Sequence, residues 1–456
     1  MTDPRNATPA ALAEERLRET VPDPVIRREL AESVSSGPDP SGALDRLLPI
    51  LEADPELPAD PEARRRLTAL VGSSRALSRS LSRNPWLLQE DSQETVTLQL
   101  HHALATIAGD DLSGAIDLSE SVARYSDAVD RIVSHALDRA RVDIAERHPI
   151  VEALPFAVIA MGKWGARELN YSSDVDFVLI HDNVEKSEVA SRSAALALAS
   201  RLVTVLSTPT SDGAALEIDL DLRPEGSIGP LSRTLESYAR YYEQWGEAWE
   251  LQALLKARWA CGDPDLGSRF VALTEEVIWE RGLDVESLRS IRRIKEQVEL
   301  GADQADIKRS RGGIRDIEFS VQLLQLVHGR FDPELRAPAT LDALESLHRH
   351  GFVSDEDHEG LADAYRFLRN LEHRIQLWDL RQTHELPTDP MARARIARSL
   401  GFQRDPQREL EERLREVRSV VRDAHERLYF RPILDALVGS PSARLGVEQA
   451  ALRLEA

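Results

Sequence analysis

Two carboxylates separated by one residue stand at the start of a short apolar run. Asp174 and Asp176 precede residues 177–180, FVLI, and so short a run of apolar residues is typical of a buried strand. Side chains alternate between the faces of a strand, so both carboxylates are expected to point the same way. Adjacent carboxylates repel unless a cation lies between them, and a hard divalent ion is the natural occupant. An Asp-x-Asp pair can also do no more than cap a turn.

A second acidic stretch follows at residues 215–224. Glu217, Asp219 and Asp221 occupy alternate positions, and the residues between them are apolar. This pattern predicts a strand with one acidic face and one apolar face. A glycine-containing turn, an Asp-x-Asp strand and a further Asp on a later strand resemble the layout of the nucleotidyltransferase superfamily. In that layout three carboxylates hold two Mg²⁺ around a phosphoryl centre.

The composition narrows the class of protein. At 456 residues the chain is too long for one hydrophobic core, so two or three domains are expected. The net charge of −21 argues against non-specific binding to nucleic acid, since no excess of cations is available to neutralise phosphates. A single cysteine, Cys261, fits a reducing cytoplasm. We find no N-terminal signal pattern and expect no membrane-spanning segment, because the apolar runs are too short.

Candidate phosphate-binding residues lie in two glycine-containing segments. The first, GKWG at residues 162–165, closes an apolar run and lacks the spacing of a P-loop. In the second, residues 306–319, the cations Lys308, Arg309 and Arg311 lead into two glycines at a predicted helix start. Backbone N–H groups at a helix start, beside flexible glycine and several cations, can bind an anion. The alternative is a solvated basic loop with a glycine hinge.

The order of these patterns predicts a predominantly helical α+β protein, with a nucleotidyltransferase-type mixed β-sheet core inserted between helical regions. We predict an N-terminal helical region at 1–149, the core with its carboxylate triad at 150–232, and a C-terminal helical domain at 233–436. In that last domain one long helix is expected to run from Thr234 through Lys256. Lys256 stands among apolar neighbours and is therefore a further candidate for the site.

Five motifs in a fixed order carry a family resemblance. They are GKWGARELNYSSDVDF (162–177), EIDLDLRPEG (217–226), WELQALLKAR (249–258), GGIRDIEFSVQLLQ (312–325) and LEHRIQLWDLRQTHELP (371–387). Together they resemble the bacterial glutamine synthetase adenylyltransferase family, also called the adenylyl-removing enzymes, over roughly residues 65–456. The resemblance implies a family chain with two nucleotidyltransferase halves. The N-terminal half removes AMP from a tyrosine of glutamine synthetase by phosphorolysis and releases ADP, whereas the C-terminal half attaches AMP from ATP.

The resemblance also implies roles for individual residues. Asp174, Asp176 and Asp219 match the three family carboxylates, so they are expected to be catalytic and to hold Mg²⁺, as two ions. Glu217 often matches a family residue, whereas Asp221 does not and is interpreted as a surface or outer-shell acid. The residues expected to bind nucleotide or phosphate are Gly162, Lys163, Gly165, Ser173, Arg223, Lys308, Arg311, Gly312, Gly313 and Arg315.

The resemblance favours one half of the family chain. Asn170 is usual in the removing half, where the adenylylating half has Gly, and residues 437–456 resemble the start of a linker to the other half. In the family the segment between the halves takes part in regulation by PII signal proteins and glutamine. We therefore predict a cytoplasmic enzyme that removes AMP from glutamine synthetase. Its expected ligands are phosphate, ADP and ATP, with PII signal protein as a further candidate partner. The alternatives are adenylyl transfer from ATP to glutamine synthetase and a catalytically silent module that binds nucleotide or PII.

Overall fold

The computed structural model describes residues 8–430, apart from 90–94, 186, 212, 214, 282–284 and 302. The predicted linker at 437–456 lies outside the described residues. The boundaries at 149/150 and 232/233 stay predictions.

The described residues from Pro9 to Ala145 are mainly helical. Two of the helices begin with an Asp-Pro step, at Asp23 and at Asp60. There the Asp side chain accepts a hydrogen bond from a backbone N–H, and the following Pro supplies the helical φ. Buried Leu, Val and Ala residues on the inward faces form an N-terminal core. The helices are α1 Pro9–Arg16, α2 Pro24–Ser36, α3 Ala43–Ala53, α4 Pro61–Ser73, α5 Arg75–Arg83, α6 Val96–Leu112 and α7 Leu118–Ala145.

A mixed sheet follows these helices and confirms the predicted α+β class. Its strands in the described chain are β1 Phe156–Ala160, β2 Val175–His181, β3 Ile218–Asp219, β4 Ser232–Thr234 and β5 Arg258–Gly262. β1 runs antiparallel to both β2 and β5. β3 and β4 pair in parallel with successive parts of β2. The start of β2, which carries Asp176, is therefore joined to β3, which carries Asp219.

The sheet is buried on both faces. On β1, Phe156, Val158 and Ala160 pack into the N-terminal core, whereas Ala157 and Ile159 pack into a second core on the opposite face. This alternation is the period of two expected of a strand. Because neither face meets water, β1 is apolar at every position.

Helices cover the second face of the sheet and continue into a C-terminal core of their own. They are α10 Leu235–Trp245, α11 Ala248–Leu254, α12 Pro264–Arg281, α13 Val285–Glu299, α14 Ile314–His328, α15 Thr340–Arg349, α16 Asp355–Leu377, α17 Pro390–Ser399 and α18 Pro406–His425. The long helix α16 belongs to the C-terminal core, and its last turn also contacts the N-terminal core through Leu377.

The single long helix expected from Thr234 through Lys256 is wrong. The helix is broken at Gly246, whose backbone leaves the helical region, and Glu247 caps α11 through a reciprocal hydrogen bond with Glu250. Lys256 consequently lies beyond the end of α11. The segment after it forms β5 and pairs with β1, although it falls inside the predicted helical domain. Pairing with β5 gives the backbone groups of β1 hydrogen-bond partners. This tertiary contact outweighs the local sequence pattern, which favours a helix.

The strand expected at residues 215–224 is much shorter than predicted. Within this segment only Ile218 and Asp219, the residues of β3, pair with β2. The chain turns directly afterwards, where the Arg223 N–H donates to the Leu220 carbonyl. Ile218 and Leu220, which alternate with the acidic residues, are still partly buried against the N-terminal core.

Between β2 and β3 runs helix α9, Glu188–Ser207 (the single turn Gly162–Gly165 before β2 is α8). By length and composition α9 could cross a bilayer, although the apolar runs were expected to be too short for this. Ala194, Leu198 and Leu202 are buried in the N-terminal core, where α9 packs against α7. A core helix passes the same test of composition, so this finding does not indicate a membrane protein.

Candidate active site

A cleft of about 360 Å³ lies at the mouth of the sheet, between the start of β2 and helices α11 and α14. The three carboxylates Asp174, Asp176 and Asp219 line it together. Eight of the predicted catalytic and binding residues meet there, the other five being Gly162, Lys163, Ser173, Lys308 and Arg315. The remaining walls come from Leu222, Trp249, Gln252, Ala253, Lys256, Ile294, Glu318, Phe319, Gln322 and Gln382.

Pairing of the strands fixes the position of two carboxylates. Asp176 and Asp219 are register partners on the parallel strands β2 and β3. Burial, and then the charges of Asp219 and Asp174, raise the pKa of Asp176 to about 7. Carboxylates crowded in this way without a cation favour protonation. Their oxygens are the donors that Mg²⁺ prefers, so the residues present fit a magnesium site.

Gly162 is required by the shape of the carboxylate site. Its φ of 53° lies in the left-handed region that favours glycine. A Cβ on Gly162 would stand 2.4 Å from the Asp176 Oδ2. Any side chain here would therefore displace a carboxylate of the triad.

Two further groups contact Asp174. The Gln382 Nε2 donates to the Asp174 Oδ2 at 2.6 Å, and a hydrogen bond also joins the side chain of Glu217 to Asp174. Burial, and then the charge of Asp174, raise the pKa of Glu217. Asp221 is 69% exposed and lies 3.7 Å from the Arg223 Nη1, which agrees with its interpretation as a surface acid.

Cations line the cleft beside the carboxylates. Burial is the main cause that lowers the pKa of Lys163 to about 7, against the attraction of Glu372, whose Oε2 lies 3.5 Å from the Lys163 Nζ. Lys308 is close enough to lower this pKa further. The Arg315 Nε is buried and has no hydrogen-bond partner among the described residues. The positively charged side chains of the cleft can therefore bind an anion.

The predicted residues Arg223 and Gly165 lie outside the cleft lining. The Arg223 side chain is buried and donates to the carbonyls of Leu220 at 2.6 Å and Gly229 at 3.2 Å, so it fastens the turn after β3. A Cβ on Gly165 would stand 1.8 Å from the Lys256 carbonyl oxygen. Gly165 therefore allows close packing of the backbone at this point.

The predicted residues Arg311, Gly312 and Gly313 also lie away from the cleft. The Arg311 side chain is 81% exposed and its Nε is 3.6 Å from Glu299 on α13. Gly312 has a φ of 78° and packs on the backbone of Arg418. Gly313 is the N-cap of α14. The loop thus presents Lys308 and Arg315 to the cleft, and Arg311 to a different surface.

Buried charges beneath the cleft were not predicted. Burial alone would raise the pKa values of Glu318 and Glu372, but nearby cations, Lys163 first among them, outweigh it and lower both. Gln382 follows α16 in the chain, some two hundred residues from Asp174. These residues belong to motifs that carry the family resemblance, but their spacing along the chain does not predict which residues they contact.

A second buried network ties the turn after β1 to α16. The Glu168 carboxylate accepts hydrogen bonds from the Lys256 Nζ at 3.0 Å, the Tyr365 hydroxyl at 3.0 Å and the Thr340 N–H at 2.9 Å. Burial would raise the pKa of Glu168, but Lys256 and Arg369 lower it. Lys256, marked by its apolar neighbours, therefore both lines the cleft and anchors this network.

Comparison with known proteins shows what the chain is similar to. Residues 90–273, which contain the sheet and the carboxylates, match the family described as glutamate-ammonia ligase adenylyltransferase. Residues 289–429 match the family described as GlnD PII-uridylyltransferase. The first match ends within α12, and the second begins within α13.

Curated relatives carry the same description as one another, "bifunctional glutamine synthetase adenylyltransferase/adenylyl-removing enzyme". The relative from Streptomyces coelicolor is 38% identical over 502 aligned positions, which include 100% of this chain and 49% of the relative. The relative from Cutibacterium acnes is 39% identical, over 77% of this chain and 36% of its own length. That from Leifsonia xyli is 40% identical, over 67% and 32%. The chain therefore spans about half the length of such relatives at most.

Proposed function

Because the chain belongs to the glutamate-ammonia ligase adenylyltransferase family, we propose that it removes AMP from an adenylylated tyrosine of glutamine synthetase by Mg²⁺-dependent phosphorolysis, with release of ADP. The observation that carries the proposal is the meeting of Asp174, Asp176 and Asp219 with four cations in one cleft. We place this reaction in the cytoplasm, with phosphate and nucleotide as the small ligands.

The proposed reaction is an in-line displacement at phosphorus. A phosphate oxygen forms a bond to the phosphorus of the AMP group, and the bond from that phosphorus to the tyrosine oxygen breaks. The tyrosine leaves as a phenolate, an easier leaving group than an alkoxide because its reference pKa is about 10. Mg²⁺ bound by the three aspartates would neutralise charge at the phosphoryl centre.

The cations of the chain would position the attacking phosphate. Phosphate is already an anion at neutral pH, so it needs orientation and charge neutralisation more than a general base. Arg315 offers a buried Nε without a partner among the described residues, and Lys308 lines the same cleft. These two residues are the proposed phosphate ligands, with Lys163 facing the carboxylates.

The apolar wall of the cleft suits a nucleotide base. Trp249 of α11 and Phe319 of α14 line it, together with Leu222, Ala253 and Ile294. Aromatic faces stack well on flat bases. The hydrogen-bonded amides of Gln252 and Gln322, 2.6 Å apart, stand beside this wall and offer polar groups to a base edge.

Asn170 supports the choice of the removing direction. It follows the buried Glu168, as in the removing half of the family that the sequence resembles, and its Oδ1 accepts a hydrogen bond from the Arg369 Nη2 at 2.6 Å. A Gly at this position would leave that Arg369 hydrogen bond unmade. The region at 289–429, which is similar to GlnD PII-uridylyltransferase, is the surface we propose for contact with PII protein.

The test is an assay for ADP. Adenylylated glutamine synthetase, phosphate, Mg²⁺ and the chain are expected to yield ADP together with unmodified glutamine synthetase. The double variant Asp174→Asn/Asp176→Asn, which keeps the size of both side chains, should yield none. A wild-type chain that binds nucleotide but releases no ADP would instead support the silent regulatory module.

A further inference from the structure

Two consecutive helices each carry an acidic residue three positions before a histidine. On α15 these residues are Glu345 and His348, and on α16 they are Asp355 and His358. Residues three apart lie on the same face of a helix, so each helix presents a carboxylate beside an imidazole. The four residues lie outside the cleft described above.

The turn between the helices brings the two pairs together crosswise. The His348 Nε2 lies 2.7 Å from the Asp355 Oδ1, and the His358 Nε2 lies 3.1 Å from the Glu345 Oε2. The two imidazole rings stack with their centroids 4.3 Å apart and 11° between their planes. One ligand atom from each of Glu345, His348 and His358 lies within 4.8 Å of the other two.

The two histidines are partly shielded from water. Their side chains are 27% and 20% exposed, whereas Glu345 and Asp355 reach the surface at 50% and 94%. The His348 Nδ1 is buried and has no hydrogen-bond partner among the described residues. A buried polar atom without a partner is uncommon and calls for an explanation. Here it belongs to a ring that faces a second imidazole and two carboxylates.

We propose that Glu345, His348 and His358 bind a divalent transition-metal ion of the zinc class, with Asp355 or a water as the fourth ligand. Two imidazoles and one carboxylate are ligands that Zn²⁺ accepts in tetrahedral sites. Mg²⁺ and Ca²⁺ prefer oxygen ligands alone, so they are not the ions of this cluster. Binding requires the two stacked rings to turn until their nitrogens converge on the ion. The bound ion fastens α15 to α16 beside the turn that joins them.

Cobalt provides the probe, because Co²⁺ bound by nitrogen ligands absorbs visible light while Zn²⁺ is silent. The full chain is titrated with Co²⁺ in an excess of Mg²⁺, which keeps the carboxylate cleft occupied. One equivalent of Co²⁺ is expected to give an absorption band that Zn²⁺ then removes. His348→Asn and His358→Asn should each abolish this band, and Glu345→Gln should weaken Co²⁺ binding.

His350 supplies a matched control on the same turn. It also contacts two carboxylates, but it meets Asp332 through Nδ1 and Glu334 through Nε2, so these groups lie on opposite sides of its ring. The variant His350→Asn should therefore keep the full Co²⁺ absorption. Zn²⁺ should also raise the melting temperature of the wild type and of His350→Asn, but not that of His348→Asn.

A measurement on the wild-type chain guards against variants that fold poorly. Zn²⁺ is expected to protect His348 and His358 from carbethoxylation, as read by peptide mapping, while His350 stays reactive. The proposal is overturned by a wild type without the Co²⁺ band, or by a band that persists in the double variant His348→Asn/His358→Asn. Protection that extends equally to His350, or that is absent at all three histidines, overturns it as well.

Discussion

At the scale of single residues, Asp176 bears a large electrostatic penalty. Burial and its two neighbouring aspartates raise its pKa from 3.8 to about 7. Between these two values the folded chain holds a proton that the unfolded chain has released. The free energy of unfolding of the metal-free chain therefore falls as the pH rises across this window. A divalent cation between the carboxylates removes the repulsion.

The variant Asp176→Asn should separate these effects. In EDTA its free energy of unfolding is expected to match that of the wild type near pH 4 and to exceed it at pH 8 by about 4 kcal/mol. With Mg²⁺ the difference at pH 8 should shrink, because the wild type alone binds the ion. The release of ADP should fall by about a thousandfold or more. A stability difference between wild type and variant that stays constant from pH 4 to pH 8 in EDTA would contradict the raised pKa of Asp176.

Lys308, Arg311 and Arg315 belong to one loop and its following helix, yet the structure gives them different surroundings. Lys308 and Arg315 line the cleft, while Arg311 is exposed beside Glu299. Lys308→Ala and Arg315→Ala should each raise the phosphate concentration needed for half-maximal ADP release by about tenfold to a hundredfold, since each removes a charge-assisted hydrogen bond. Arg311→Ala, which removes the same charge from the same loop, should leave it unchanged. A phosphate requirement raised equally by all three would show a general effect of charge instead.

Sequence patterns predicted residues whose role follows from local geometry. The alternation of Asp174 and Asp176 sufficed to place both carboxylates in one cleft, because a strand has only two faces. Arg223 was expected to bind phosphate, but the nearest acceptors for its guanidinium are carbonyls of its own turn. Gln382 contacts Asp174 from a loop that only the packing of α16 brings near. The spacing of residues along the sequence does not predict such a long-range contact.

At the scale of elements, α16 joins the C-terminal core to the turn that carries Gly162 and Lys163. Arg369 is buried on this helix, and its Nη2 donates to the Glu168 carbonyl at 2.6 Å and to Asn170. Its Nε lies 3.3 Å from the Glu372 Oε2. These polar groups are buried where α16 packs on the turn, and each would be unsatisfied without its partner. Their hydrogen bonds therefore stabilise this packing. The sequence around Arg369 does not show which residues its side chain contacts.

The variant Arg369→Leu should test how far this network supports the site. It leaves buried acceptors and the Glu372 carboxylate short of a partner, so the free energy of unfolding is expected to fall by about 3–5 kcal/mol in urea. Arg366→Leu on the exposed side of the same helix is the control, and should change it by less than about 0.5 kcal/mol. Equal stability of the two variants would mean that the network contributes little. The fraction of the Arg369→Leu variant that stays folded should also release ADP more slowly, because the turn that carries Gly162 loses its hydrogen bonds to Arg369.

At the scale of the whole molecule, the cleft is assembled from parts that belong to different cores. The sheet contributes the carboxylates, α11 and α14 contribute the apolar wall and Arg315, and the loop after α16 contributes Gln382. This assembly explains why the five sequence motifs lie so far apart along the chain: most of them meet at or directly behind one cleft. The histidine cluster of α15 and α16 contributes no side chain to the lining of this cleft.

The direction of the reaction is also a property of the whole molecule. A pair of metal ions serves transfer to and from tyrosine equally, so the triad alone does not forbid adenylylation. Direction depends on whether the cleft holds phosphate with AMP-tyrosine better than ATP with tyrosine. We propose the removing direction because of the Asn170 context, and because Lys308 and Arg315 would provide cations for a separate phosphate. Unmodified glutamine synthetase incubated with the chain, Mg²⁺ and labelled ATP should therefore gain little label, while adenylylated glutamine synthetase with phosphate should yield ADP. Rapid labelling in the first tube, with no ADP in the second, would reverse the proposed direction.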